Sequence, residues 1–174
     1  MSERHPVAAD PMTAAATTPT PWARARAILE EVPATYWLAT MRPNGAPHVR
    51  PVLAVWVDAG LYFCAGEHTR KACNLTLDPR CVVTVEHEPL DLVLEGRAVK
   101  VRDAATLRRV AGAYGRVYGW CVTVRDGAFH DTQGAPTAGP PPYEVYQAAP
   151  MAAFGFGTDL TLVPTRWRFG QPTT

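Results

Sequence analysis

Between Leu90 and Arg102 the apolar residues change step: Leu90, Leu92 and Leu94 fall on even positions, Val99 and Val101 on odd ones. A strand shows successive residues to opposite faces, so a run of this length cannot keep one buried face unless something interrupts it. Gly96 lies between the two phases and is expected to mark a bulge. A bulge bends its strand and increases the twist, which curls a sheet towards closure. The chain is therefore expected to form a β-barrel rather than a flat sheet.

The other strands are short and well punctuated. Tyr36 to Met41 is aromatic and apolar, and Pro43-Asn44-Gly45 after it is a hairpin signal, because Asn and Gly tolerate positive φ. The return strand spans His48 to Val57. Pro47 and Pro51 cannot donate to a ladder, so this strand should lie at an edge or be bulged near Pro51, leaving backbone groups for a ligand. Leu61 to Ala65 and Cys81 to Val85 follow. Tyr143 to Ala148 and Met151 to Gly157 read as one strand interrupted by Pro150. Thr165 to Phe169 alternates cleanly, with Thr165, Trp167 and Phe169 on one face.

Three helices punctuate these strands. Pro21 opens the first, whose Trp22, Ile28, Leu29 and Val32 share a face, and Pro33 ends it. The second starts at Thr69 and stops at Asp78-Pro79. Asp103 caps the third, in which Leu107, Val110, Ala111, Tyr114 and Val117 keep helical spacing up to Gly119. Residues Cys121 to Pro142 read as loop, and the four prolines of Gly134 to Pro142 suit a lid, a dimer contact or an ordinary surface turn. The first residues are Ala-, Thr- and Pro-rich, so the chain divides into a disordered tail, 1–20, and one domain, 21–174.

Composition excludes several classes. With 174 residues, 47% of them apolar and 19% charged, the chain suits one core. A net charge of +1 argues against nucleic acid and membrane surfaces as partners. Cys64, Cys73, Cys81 and Cys121 show no Cys-x-x-Cys pair, so neither a disulfide framework nor a metal site is expected. Reduced thiols, no spanning run and no leader pattern together imply a cytoplasmic protein.

One local arrangement breaks a rule. Thr69-Arg70-Lys71 places two cations in a first helical turn, against the positive end of the macrodipole and beside unpaired N–H groups. Either both side chains turn outward into water, or an anion docks there. Backbone donors, the Thr69 hydroxyl and two cations converging on one point would make a phosphate-sized site.

A resemblance bears on that choice. The hairpin, Arg50-Pro51-Val52-Leu53, Tyr62-Phe63, Thr69-Arg70-Lys71-Ala72-Cys73-Asn74-Leu75, Asp78-Pro79-Arg80 and Val93-Leu94-Glu95-Gly96, in this order, resemble the pyridoxamine-phosphate-oxidase-like split-barrel flavoproteins. Their flavin and deazaflavin oxidoreductase branch is the most similar. The resemblance covers Tyr36 to Arg102, with a weaker echo at Thr165 to Phe169. It implies a β-dominated α+β fold, a six-stranded split β-barrel with flanking helices. It also implies a homodimer with a flavin-type cofactor at the subunit interface. Arg50, Arg70 and Lys71 would hold the cofactor phosphate, Val52 and Leu53 would meet the ring through backbone, and Cys64 and Ala65 would line the same groove. Pro51, Thr69, Asn74 and Trp167 complete the expected cofactor-binding set.

One position departs from the family. Where true pyridoxamine-phosphate oxidases carry a lysine for the substrate phosphate, this chain has Val55, and a valine cannot bind a phosphate. Pyridoxal phosphate synthesis is therefore not expected. Flavin chemistry asks little of side chains, which accounts for the lack of a triad or carboxylate pair. His48 and His87 are either proton donors or packed and surface residues. FMN is the expected cofactor and a small molecule of unknown identity the substrate. The deazaflavin coenzyme F420 is an alternative suited to the Ala-, Arg-, Pro- and Gly-rich composition of a high-GC genome, and a non-catalytic flavin or haem carrier is another.

Overall fold

A computed structural model describes residues 5–31, 33–58, 60–132, 139–159 and 161–170. Six antiparallel strands close into a barrel: β2 (Thr35–Met41), β3 (Pro47–Val57), β4 (Gly60–Gly66), β5 (Arg80–Val85), β6 (Leu90–Val101) and β9 (Tyr143–Gly157). The order β9-β4-β3-β2-β5-β6 returns to β9, so the six strands form a ring. The helices are α1 (Trp22–Glu31), α2 (Arg70–Leu77) and α3 (Ala104–Tyr118). This is the β-dominated split-barrel architecture expected from the sequence.

Alternation along the strands separates two apolar regions. Tyr36, Leu38, Val52, Ala54, Phe63, Val83, Leu92 and Leu94 point into the barrel, and α1 closes one end with Trp22, Ala25, Ile28 and Leu29. Val55, Tyr62 and Val145 point outwards, where they pack on α3 through Leu107, Val110, Ala113 and Tyr114. Val32, expected on the α1 face, lies outside the described residues.

The step in β6 has a different cause from the one its sequence suggests. Register does shift between Glu95 and Gly96, but the additional residue is on β9: Glu95 pairs with Ala152 and Gly96 with Pro150, which leaves Met151 over. Gly96 is needed because a Cβ there would collide with the Ala149 carbonyl. Leu94 and Ala98 both face the barrel interior, so the inward face keeps its parity. Val101 is apolar because the outer layer of α3 covers it. Pro150 sits at this bulge, where a missing N–H is tolerated, and β9 runs through it uninterrupted.

Two further expectations are corrected. The 1–20 tail is not free of structure: β1 (Ala8–Pro11) adds to β10 (Thr165–Arg168), pairing Ala8 with Arg168 and Pro11 with Thr165. Thr20 is buried, and its N–H donates to Thr165 Oγ1 at 2.9 Å while its hydroxyl donates to the Val163 carbonyl at 2.8 Å. The 121–142 stretch is not all loop either. A hairpin, β7 (Thr123–Arg125) and β8 (Ala128–His130), turns at Asp126-Gly127, both at positive φ, and buries Phe129 under α3.

Candidate functional site

Strand β3 is paired with β2 over its first seven residues, from Met41↔Pro47 to Thr35↔Leu53. Its pairing with β4 runs only from Val57↔Gly60 to Ala54↔Phe63. Continued by one residue at a time, that ladder would join Leu53 to Cys64, Val52 to Ala65 and Pro51 to Gly66. Instead the strands part, and five predicted site residues, Pro51, Val52, Leu53, Cys64 and Ala65, stand on the two lips of the split. The Tyr114 hydroxyl of α3 marks its closed end by donating to the carbonyls of Leu53, 2.9 Å, and Tyr62, 3.2 Å.

Cys64 and Ala65 flank the split in different ways. Adjacent strand residues face opposite sides, and Ala65 is fully buried in the barrel whereas Cys64 belongs to the outer layer. Only their backbones can share a groove. Burial pushes the Cys64 thiol up to about 12, against the opposing pull of its hydrogen bond with Tyr114 and of the Lys71 charge. That thiol is neutral near pH 7.

Helix α2 starts beside the split. Its N-cap, Thr69, has extended backbone, but the hydroxyl donates to the Gly66 carbonyl at 2.8 Å rather than capping an N–H. The first turn holds no acid. Residues three and four apart share a helix face, so Arg70, Lys71 and Asn74 form one group. Asn74 fixes the direction of that face: it is buried, and its Nδ2 donates to Thr40 Oγ1 at 3.0 Å. Thr40 is opposite His48, and Arg50 lies two residues further along the same face of β3. Arg42 follows Thr40 by two residues at the entrance to the hairpin.

The result is a patch of like charge. Among the described residues none of Arg42, Arg50, Arg70 and Lys71 makes an ion pair, although cations elsewhere commonly do: Arg80 with Asp78, Lys100 with Glu144, Arg109 with Asp58 and Arg168 with Asp10. Arg50 only reaches the Val49 carbonyl, at 2.8 Å. The Lys71 ammonium is held below its ordinary value, first by burial and then by Arg50, with Cys64 opposing. The His48 imidazole is lowered as well, by burial first and then by Arg50, Arg42, Arg70 and Lys71. Four cations from three elements therefore act on one spot.

Other predicted residues lie elsewhere. Trp167 is fully buried in the barrel core, packed edge-on against Trp22 at 5.4 Å and donating through Nε1 to the Thr20 carbonyl at 3.0 Å. It is not at the split. His87 lies past the end of β5 opposite to Cys81, the residue that pairs with Thr40, and its backbone N–H donates to Asp91 Oδ1 at 2.9 Å. Pro140, Pro141 and Pro142 meet Gly66 to Thr69 across a groove of about 400 Å³, beside the start of α2. Residues 134–138 of that expected lid or contact lie outside the described residues.

Arg42 and His48 were not in the predicted set as anion-binding groups. The strand parity that puts His48 on the face of Arg50 was the available signal for the histidine; Arg42 lies one residue past the end of β2, where parity no longer fixes a face.

A family model described as pyridoxamine 5'-phosphate oxidase matches residues 22–154, which spans both lips of the split and all the cations. The chain belongs to the pyridoxamine 5'-phosphate oxidase family. No curated protein sequence matches it. Solved structures share the fold. The conserved hypothetical protein Rv2991 from Mycobacterium tuberculosis is similar at a TM-score of 0.60 and 19% identity, over 83% of this chain and 88% of that one. A protein titled F420 reductase gives 0.50 and 21%, over 72% and 92%. A heme binding protein from Mycobacterium smegmatis gives 0.60 and 15%, over 86% of this chain and 59% of that one.

Proposed function

We propose that the split between β3 and β4 holds the phosphate end of a flavin-type cofactor, FMN in the first instance, and that the protein is an oxidoreductase acting on a small molecule. The observation that carries this reading is the set of four unpaired cations, Arg42, Arg50, Arg70 and Lys71, around an uncapped helix start. Holding like charges together is unfavourable, and a phosphate offsets that cost through charge-assisted bonds worth about 1.5–3 kcal/mol each. The side of Pro51 to Leu53 that turns away from β2 has no β4 partner and runs from these cations along the split, so a flat ring could lie against it.

When bound, a flavin supplies the hydride and electron chemistry itself. The chain's own part would be to grip the phosphate with Arg50, Arg70 and Lys71 and to position the ring along β3 and the backbone of Cys64 and Ala65. Val55 is buried under α3 and faces away from the split, so the case against pyridoxamine phosphate as substrate rests on the departure from the family pattern at this position. F420 remains the second reading, favoured by the similarity to the protein titled F420 reductase.

The outer face of β2 and β3 supports a homodimer. Trp37, Met41, Val49 and Leu53 are each 38–49% exposed, and the register sets Trp37 beside Pro51 and Ala39 beside Val49. An exposed apolar patch of this continuity fits a second copy, which would also cover the split from outside. Sedimentation should give a dimer at micromolar concentration, and a stable folded monomer there would contradict it.

Titrating the apoprotein with FMN and with F420 tests the cofactor reading. Saturable binding of either, with loss of affinity in Arg50→Ala and Lys71→Ala, is expected. Failure of both cofactors to bind the wild type would overturn the proposal.

A further inference from the structure

His48 is buried, at 4% exposure, at the foot of the cation patch. A buried imidazole usually serves packing, yet this one touches a hydroxyl that can serve either of its protonation states. Thr40 Oγ1 is 3.5 Å from His48 Nδ1 and 3.4 Å from the His48 carbonyl. When the ring is neutral, the hydroxyl can donate to Nδ1. When Nδ1 carries a proton, the same hydroxyl can rotate to the carbonyl and accept from the ring, while still accepting from Asn74 Nδ2 at 3.0 Å. The change needs one hydroxyl rotation and no backbone movement. Asn74 Oδ1 adds a buried acceptor without a partner to the same network.

The groups facing His48 come from four elements: Thr40 and, past its end, Arg42 from β2; Arg50 from β3; Arg70, Lys71 and Asn74 from α2; and, across from Thr40, Cys81 of β5. The Cys81 thiol is pushed up to about 12 by burial, so it stays neutral through the range that matters. No carboxylate is among these groups. The charge His48 meets is therefore set by whatever occupies the cation patch.

We infer that His48 is a fifth member of the anion site, recruited by protonation: it is neutral in the empty protein and takes up a proton when a phosphate docks among Arg42, Arg50, Arg70 and Lys71. This rests on the phosphate reading above and adds the regulation of that site. The linkage has a definite sign. With the site empty, four positive charges oppose protonation. A bound dianion cancels them, so the imidazole binds its proton more tightly in the complex than in the free protein, and by reciprocity the anion binds more tightly once the proton is on. His48 thereby favours dianionic phosphates over uncharged analogues, and increasingly so as pH falls towards 6.

Nuclear magnetic resonance of the ring nitrogens in the full-length wild type reads this directly, with His48→Gln used to assign its signals. The His48 midpoint should lie below 6.5 in the apoprotein and rise by about one unit or more with saturating FMN, or with F420 if that is what binds; one unit is a tenfold gain in affinity across the titration. Riboflavin, which lacks the phosphate, should leave the midpoint where it was. The affinity deficit of His48→Gln relative to wild type should be about threefold or more at pH 6, grow towards tenfold below the apoprotein midpoint, and narrow at pH 8. A cofactor that binds while the His48 midpoint stays within about 0.2 units would overturn the inference and leave the phosphate site standing. If neither cofactor binds at any pH, the phosphate reading falls and the inference with it.

Discussion

The two ends of β3 are built to opposite rules. At one end Trp56 packs against Trp22 at 5.9 Å, Trp22 stacks edge-on with Trp167 and Phe169, and the N-terminal arm seals the cluster through Thr20. At the other end, about 25 Å away along the strand, His48 and Arg50 stand beside a ladder that stops short and a helix start with no cap. The first end spends its residues on burial. Even its defects are uncharged: among the described residues the indole N–H groups of Trp22 and Trp56 lack partners, a cost of about 1–3 kcal/mol each. The second end holds uncompensated charge, which does not stabilise an empty protein. The difference teaches where to look for function, because a strand that is satisfied at one end and frustrated at the other is organised around something that is to be bound.

Substitutions should separate the two ends. The largest effect belongs to Trp167→Ala, which opens a cavity in the closed end and should cost about 3–5 kcal/mol in equilibrium unfolding. Cofactor affinity of the fraction that remains folded should stay near wild type; a selective loss of binding would move Trp167 back into the site.

Next comes deletion of residues 1–20. It removes the four-residue β1 pairing, the two hydrogen bonds of Thr20 to residues 163 and 165, and the carbonyl that accepts from Trp167. At about 1 kcal/mol for each of three bonds the loss should approach 3 kcal/mol, seen as a lower melting temperature. An unchanged melting temperature would return the arm to the status of a dispensable tail.

Lys71→Ala probes the open end and should reverse the pattern. Cofactor affinity should fall tenfold to a hundredfold, about 1.5–3 kcal/mol, while the apoprotein keeps its stability or gains roughly 0.3–1 kcal/mol as repulsion with Arg50 and the α2 dipole is relieved. A destabilised apoprotein would show that Lys71 packs rather than binds. The smallest effect should come from Arg109→Ala, which breaks an exposed pair with Asp58 at 3.2 Å and should change stability by less than about 1 kcal/mol and binding not at all.

Much of this was legible in the sequence, for identifiable reasons. Hairpin chemistry at Asn44-Gly45, the Asp103 cap, whose carboxylate accepts from the Thr106 N–H at 2.7 Å, and the step around Gly96 are local signals, and each marks a real feature. The cause of the step was not legible, because the leftover residue, Met151, is on a partner strand more than fifty residues away. Asp126-Gly127 carried the same hairpin chemistry as Asn44-Gly45 but lay in a stretch without strong alternation. Ala8 to Pro11 has no apolar pattern at all: it becomes a strand because β10 presents an edge, which is tertiary information. At the candidate site, the grouping of Arg70, Lys71 and Asn74 follows from helical spacing, and the edge at Pro51 from proline's missing N–H. The opposite facing of Cys64 and Ala65 was readable from strand parity. Trp167 illustrates the converse limit: alternation told which residues share its face, but not that the face is the sealed end of the barrel.

The central claim is that the open end of β3 is a phosphate site, and one comparison of ligands tests it most directly. Isothermal titration of the apoprotein with FMN and with riboflavin, at one pH and salt concentration, isolates the phosphate because the ring is common to both. The account predicts that FMN binds at least about a hundredfold more tightly, from two or more charge-assisted contacts, and that the advantage shrinks to about tenfold or less in the Arg50→Ala, Lys71→Ala double variant. Equal affinities for the two ligands in the wild type, within about twofold, would contradict it.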